Sequence, residues 1–264
     1  LTDFIFTDVE TNGSTKIDIV NNNDEEATVV VDLVSADGSV RNSLTRVINA
    51  NGALVADLYD DLFSENQPDA SDYVRMSSAK GLQSFELMRK RQGDISSLAG
   101  QDMSAGGSTL YSPQYAVGGP WRTILSIVNL DSRAGNIQLE LIGEDGNQIG
   151  ATKLVQMPAN GKLHIDDPEF FMDLGPEEIA SGYVKITSNG LRLSGSTVFG
   201  DRSGTSFAAA LPLIYNLQKS VRFSHIASND LYYTGIAIVN PSDTGTIAVI
   251  EVNAADGNPI VSKS

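Results

Sequence analysis

Two histidines, His164 and His225, are the natural starting point for chemistry, and their spacing offers little of it. They stand at unrelated places in the chain, and no H-x-x-x-H or H-x-H pair exists to seat a metal on imidazoles. Serine and aspartate are plentiful, but no G-x-S-x-G elbow presents a nucleophile. Cysteine is absent, which excludes thiolate nucleophiles, thiolate metal sites and a disulfide framework. No Gly-rich phosphate loop is present. The expectation is a protein that is not an enzyme and has no catalytic residues.

Carboxylates gather at two places, Asp57, Asp60 and Asp61, then Asp166, Asp167 and Glu169. Oxygen ligands of this kind suit calcium, but the D-x-[DN]-x-[DN]-G loop that arranges them is missing. These six are weak calcium candidates, with solvated loop caps as the plain alternative; no other metal or cofactor is expected. Aromatic residues form a second group. Tyr111, Tyr115 and Trp121 lie close together, as do Tyr232 and Tyr233. Flat rings beside Asp, Asn and Arg stack on sugar rings and bond their hydroxyls. Trp121, Tyr115, Tyr232 and Tyr233 are therefore the candidate ligand-binding residues; packing inside a sandwich or at a domain junction is the competing use.

The elements that must position these groups follow from an internal repeat. The stretch TGIAIVNPSDTGTIAVIEVNAADG has two earlier counterparts, STKIDIVNNNDEEATVVVDLVSADG and RTILSIVNLDSRAGNIQLELIGEDG. The Asn closing each IVN, Asn21, Asn129 and Asn240, recurs after 108 and then 111 residues. A Thr stands six residues before each mark, at Thr15, Thr123 and Thr234. An Asp-Gly follows 16 and 17 residues after it, at Asp37-Gly38, Asp145-Gly146 and Asp256-Gly257. Such register defines a repeating unit of about 110 residues.

Within the unit, Ile17 and Ile19, Leu125 and Ile127, and Ile236 and Ile238 alternate with other residues, the period of a strand with one buried face. A polar loop follows, then a second alternating run with Val29, Val31 and Leu33, Ile137, Leu139 and Leu141, or Ala248, Ile250 and Val252 inward. The two runs read as a β-hairpin. Asp32, Glu140 and Glu251 share one outward position of the second run. Asp-Gly and the ANGAL and ANGKL segments are tight-turn signals. DLYDDLF and DDPEFFMDLGPEEI read as short turns whose Leu62, Phe63, Phe170 and Phe171 plug one end of a sandwich.

Seven or eight strands per unit, with turns every 8–12 residues, predict tandem β-sandwiches of immunoglobulin-like size: two complete copies and a partial third. The boundaries fall at 1–109, 110–219 and 220–264, with the last piece expected to pack on, or complete, the second copy. The periodicity leaves the strand topology open.

Composition bounds the partners. The net charge is −15, and residues 1–109 carry 18 acidic against 8 basic residues. Such a surface repels polyanions, so no nucleic-acid partner is expected. No apolar run approaches the ~18 residues of a membrane span. Residue 1 opens directly into LTDFIFTDV, so an exported precursor would already have lost its leader. Self-association through the partial third copy is a further expectation, because its apolar positions need a cover.

The motifs TGIAIVNPSDTGTIAVIEVNAADGNPI, FGD and LPLI resemble repeats of bacterial exported and surface proteins, where TGIALVNP…DG…FGD…LP units occur in tandem. The resemblance spans all three copies and implies an extracellular or cell-surface β-sandwich array. It transfers no catalytic residue. The first copy departs most, with IDIVNNN lacking the Gly and Pro and QGD in place of FGD. The leading expectation is a non-enzymatic structural or adhesive segment that presents surface to a protein or glycan. The alternatives are a carbohydrate-binding module built on exposed aromatics and an accessory region of a secreted hydrolase.

Overall fold

The fold is taken from a computed structural model that describes residues 1–91, 93, 95–175, 177–227, 229 and 233–263. It is all-β, apart from one helical turn at Leu58–Leu62. Leu1–Arg222 form one unit and Phe223–Ser264 another.

In the first unit the strands are β1 (Asp3–Phe6), β2 (Gly13–Val20), β3 (Ala27–Val34), β4 (Val40–Ile48) and β5 (Ala53–Asp57). After the helical turn come β6 (Tyr73–Ser78), β7 (Gln83–Lys90), β8 (Ile95–Ala99) and the short β9 (Gln101–Asp102). The second repeat supplies β10 (Thr109–Val117), β11 (Trp121–Asn129), β12 (Gly135–Ile142) and β13 (Gln148–Met157). It ends with β14 (Lys162–Ile165), β15 (Ala180–Ser188), β16 (Leu193–Asp201) and β17 (Ala208–Pro212).

The first repeat folds as a sheet β4-β3-β6-β1-β9 facing a sheet β5-β2-β7-β8. The second uses the same plan: β13-β12-β15-β10 faces β14-β11-β16-β17. All pairings are antiparallel, as expected of sandwiches whose outer faces meet solvent. Each repeat has its own core. Phe4, Phe6, Ile17, Ile19, Val29, Val31, Leu33, Val74 and Met76 fill the first. Leu125, Ile127, Ile137, Leu139, Leu141, Val184, Ile186 and Leu193 fill the second. The strand faces read from alternation are the buried ones: Leu139 and Leu141 are fully buried, while Gln138 and Glu140 are half-exposed.

One expectation is corrected. The strands flanking the IVN loop do not form a hairpin. β2 pairs with β5 and β7, whereas β3 pairs with β4 and β6, so the NNNDEE loop arches from one sheet to the other. β11 and β12 behave in the same way. Alternation reports that one face is buried and is silent on which strand lies alongside. Hairpins form instead between β3 and β4 and between β12 and β13, closed by the Asp-Gly turns with Gly38 and Gly146 at φ +84° and +80°.

The repeat marks are explained by hydrogen bonds. Asn21 Nδ2 donates to the carbonyls of Glu25, Ile48 and Asn49, and its Oδ1 accepts from the Asn23 amide. Asn129 does the same toward Arg133, Pro158 and Asp131. Each buried Asn satisfies carbonyls of the arch and of the turn behind it. The Thr six residues earlier locks the incoming strand: Thr123 Oγ1 accepts from the Ala116 amide and donates to the Ala116 carbonyl.

The second unit, described by itself, carries β18 (Ile250–Asn253) paired with β19 (Pro259–Lys263). It keeps the same local devices. Asn240 Nδ2 donates to the Thr244 carbonyl, Thr234 bonds both backbone groups of Ala227, and Gly257 has φ +86°. Among the described residues no helix is long and apolar enough to cross a membrane.

Candidate functional site

Two places in the Leu1–Arg222 unit gather polar chemistry: a cleft beside Trp121 and the seam between the two sandwiches.

The cleft is built by local turns. β10 ends in Gly118 and Gly119, both at positive φ, and the Trp121 amide donates back to the Gly118 carbonyl. That turn delivers Trp121 at the start of β11, where its ring stacks on Phe199 of β16 at 5.4 Å and meets Phe207 edge-on at 5.9 Å. Phe207 is held by Asp201, whose carboxylate accepts from the amides of Ser206 and Phe207 at 2.9 and 3.0 Å and from the Ser203 hydroxyl. These donors, the Ser203 hydroxyl foremost, hold the Asp201 carboxyl well below its ordinary range. Beside the aromatic trio lies an opening of about 240 Å³ lined by Trp121, Arg122, Thr123, Asp166, Pro168 and Arg202, together with Val117 and Gly118. Arg122 forks onto Asp166, which raises the guanidinium above its usual value.

The other sequence candidates are dispersed. Tyr115 is buried in the second core, edge-on to Phe171 at 5.5 Å, and offers no face to a ligand. Burial pushes its hydroxyl up. Tyr233 is exposed in the second unit, and Tyr232 lies outside the described residues. Asp57 caps the helical turn by accepting from the amides of Tyr59 and Asp60, and Asp61 accepts from the Asp57 amide. Asp166 is paired with Arg122, Asp167 accepts from the Glu169 amide, and Glu169 is exposed. No group of three or more His, Asp or Glu able to hold a metal occurs among the described residues. Asp57, Asp61 and Asp167 thus accept from main-chain amides of their own loops, and Asp166 pairs with Arg122.

The seam is what spacing alone could not reveal. Ile5, Val34 and Tyr73, on the outer face of the first sandwich, pack against Val128 and Leu130 of the second. Around this apolar patch runs a buried polar network. Ser126 of β11 donates to Asp8 at 2.8 Å, and Ser196 of β16 donates to its other oxygen. Thr7 donates to Ser196 at 2.7 Å, and Gln101 accepts from Ser194 at 2.6 Å. Tyr73 donates its hydroxyl to the Asn160 carbonyl, and burial pushes that hydroxyl up to about 12. Lys162 of β14, buried, donates its ammonium to the carbonyls of Ala70 and Asp72 in the first repeat. Desolvation pulls its ammonium down to about 8, against the charges of Asp8 and Asp72.

Ser126, His164 and Asp8 come together here. Ser126 Oγ lies 3.5 Å from His164 Nδ1, but its proton is given to Asp8, and the serine is fully buried. Burial also lowers the imidazole, assisted by Lys162.

No protein-family profile matches the chain. No curated protein matches it either. Among solved structures the likenesses are loose. The cryo-EM structure of Broad Bean Stain Virus aligns over 72% of this chain and 78% of that one, at 10% identity and a TM-score of 0.20. A tetra-tandem repeat in the extending region of a large adhesion protein aligns over 80% of this chain at 11% identity and a TM-score of 0.18. A Bacteroides uniformis beta-glucuronidase aligns over 80% at 10% identity and a TM-score of 0.17. The chain spans about half of the adhesion segment and a quarter of the glucuronidase. At these scores the likenesses carry no argument.

Proposed function

We propose that this chain is a non-enzymatic structural or adhesive segment of a secreted or cell-surface bacterial protein, in which paired sandwiches form a stiff spacer that holds a surface toward a partner. The seam carries this reading. A flexible tandem needs no cross-links between its units, whereas here Asp8, Gln101, Tyr73 and Lys162 each bond across the joint. A spacer of this kind transmits orientation along its length. The exported setting rests on the resemblance of the repeat motifs and on the acidic composition.

The test has two arms. NMR relaxation or small-angle scattering should find residues 1–222 tumbling as one body. A broad hydrolase panel should give no turnover. Independent tumbling of the repeats, or robust turnover abolished by one substitution, would defeat the reading.

A second reading, glycan binding, is favoured by one observation: the opening beside Trp121, which places an aromatic platform next to Arg122, Asp166 and Arg202. On a glycan array, Trp121→Ala and Arg202→Ala should each lose binding while keeping a β-type circular dichroism spectrum. Absence of binding by the unsubstituted chain across a wide array would remove this reading.

A further inference from the structure

Glu86 sits on the inward face of β7, paired with Ile17 on β2 and Leu98 on β8. It is 0% exposed. Among the described residues, neither of its carboxyl oxygens has a hydrogen-bond partner. An ionised carboxyl shut away from solvent, with only the Asp8 amide and the Lys162 charge near enough to favour its charge, is costly, and such a group takes up a proton instead. The charged groups that face it are Asp8, on the segment after β1, and Lys162 of β14, with His164 next to that lysine. Its register partners on β2 and β8, Ile17 and Leu98, are hydrocarbon. Lys162 makes no ion pair with it, because that ammonium is turned onto the carbonyls of Ala70 and Asp72. The equivalent position in the second repeat is Thr197, paired with Leu125 as Glu86 is with Ile17. Its hydroxyl is also buried and unpartnered. The site therefore holds an uncharged polar group in one repeat and a chargeable one in the other.

We infer that Glu86 is carried as a neutral carboxylic acid in the assembled seam, and that its ionisation as pH rises loosens the contact between the two sandwiches. The coupling runs through Asp8. That residue carries the hydrogen bonds from Ser126 and Ser196 that tie the second sandwich to the first. A second negative charge beside it, in a medium of low polarity, repels Asp8 and disturbs that grip. In support, burial raises the Glu86 carboxyl well above its ordinary value and the Asp8 charge raises it further, with Lys162 and the Asp8 amide acting in the opposite sense. The inference needs only the seam, whatever the array does at its surface.

Infrared spectroscopy of the native chain at neutral pH should show the C=O stretch of a protonated, buried carboxyl, lost in Glu86→Gln. The chain has no cysteine, so Val55→Cys and Leu154→Cys, both exposed and one in each repeat, place spin labels uniquely. The label-to-label distance distribution should broaden between mildly acidic and alkaline buffer, and should stay narrow when Glu86→Gln is added. A native spectrum without the protonated band would overturn the proposal. So would equal broadening in the Glu86→Gln protein.

Discussion

The ammonium of Lys162, in the second sandwich, donates to the main-chain carbonyl of Asp72, in the first, at 2.7 Å. A second bond at 2.8 Å goes to the Ala70 carbonyl. One side chain thus satisfies two backbone acceptors of a neighbouring repeat inside a buried seam. Lys162→Ala removes both donors and leaves the carbonyls unpaired. A loss of about 3 kcal/mol is expected, from the usual range for charged hydrogen bonds and unsatisfied buried acceptors. Urea unfolding of residues 1–222 should register it as a lower midpoint. An unchanged midpoint would mean the bonds add nothing to the joint.

The same lysine predicts a pH dependence. Its folded value lies at about 8, below the ordinary 10.5. Between those values the unfolded chain holds more protons than the folded one, so this group's contribution to stability rises with pH. Below about pH 8 the charge is present in both states, and its burial counts against folding. Lys162→Met should lack the rise. The difference between the two unfolding profiles, measured from pH 8 to 10.5, reads this group together with its charge coupling to Glu86, whose contribution falls as pH climbs through its raised folded value.

The repeat marks make a graded prediction. Asn129 is fully buried and closes the carbonyls of Arg133 and Pro158 at 2.8 and 2.7 Å. Asn129→Ala should destabilise by about 1–3 kcal/mol, the penalty for stranded buried polar groups. Asn240 is exposed, so the carbonyl it serves can turn to water, and Asn240→Ala should change little. Thermal melts of the two variants, compared with the unsubstituted chain, decide between a structural role for the mark and chance recurrence.

Strand faces supply the sharpest check on what the sequence made legible. Leu139→Ala should cost about 2–5 kcal/mol and Gln138→Ala about 0.5 kcal/mol or less. Leu139 lies in the core, whereas Gln138 bonds Glu140 on the outer face. Alternation revealed these faces because burial imposes a period of two on each strand separately. Sheet partnership stayed hidden, since β2 and β3 alternate alike but belong to different sheets. The seam was hidden for a related reason. Lys162 and Asp72 are 90 residues apart, and nothing local marks a lysine whose acceptors are main-chain carbonyls. The ligand candidates fared unevenly on the same grounds. Trp121 and Tyr115 look alike as aromatic residues of neighbouring strands, yet one borders an opening and the other fills a core.

In the Phe223–Ser264 unit, described by itself, positions that are core residues in the other copies stand exposed. Ile236, Ile238 and Ile250 are 42%, 59% and 38% exposed. Their counterparts Ile17, Ile19 and Val31 are at 1%, 0% and 0%, and Leu125, Ile127 and Leu139 are all at 0%. A hairpin of this size is marginal in water, and a row of exposed branched side chains seeks apolar cover. The full chain should therefore bind a hydrophobic dye and associate as its concentration rises, as followed by light scattering. A chain ending at Arg222 should lose both properties. Ile238→Lys in the full chain should suppress them as well, since one charge in the middle of the face opposes its burial. A full chain that binds no dye and stays monomeric at high concentration would show that other strands already cover this face.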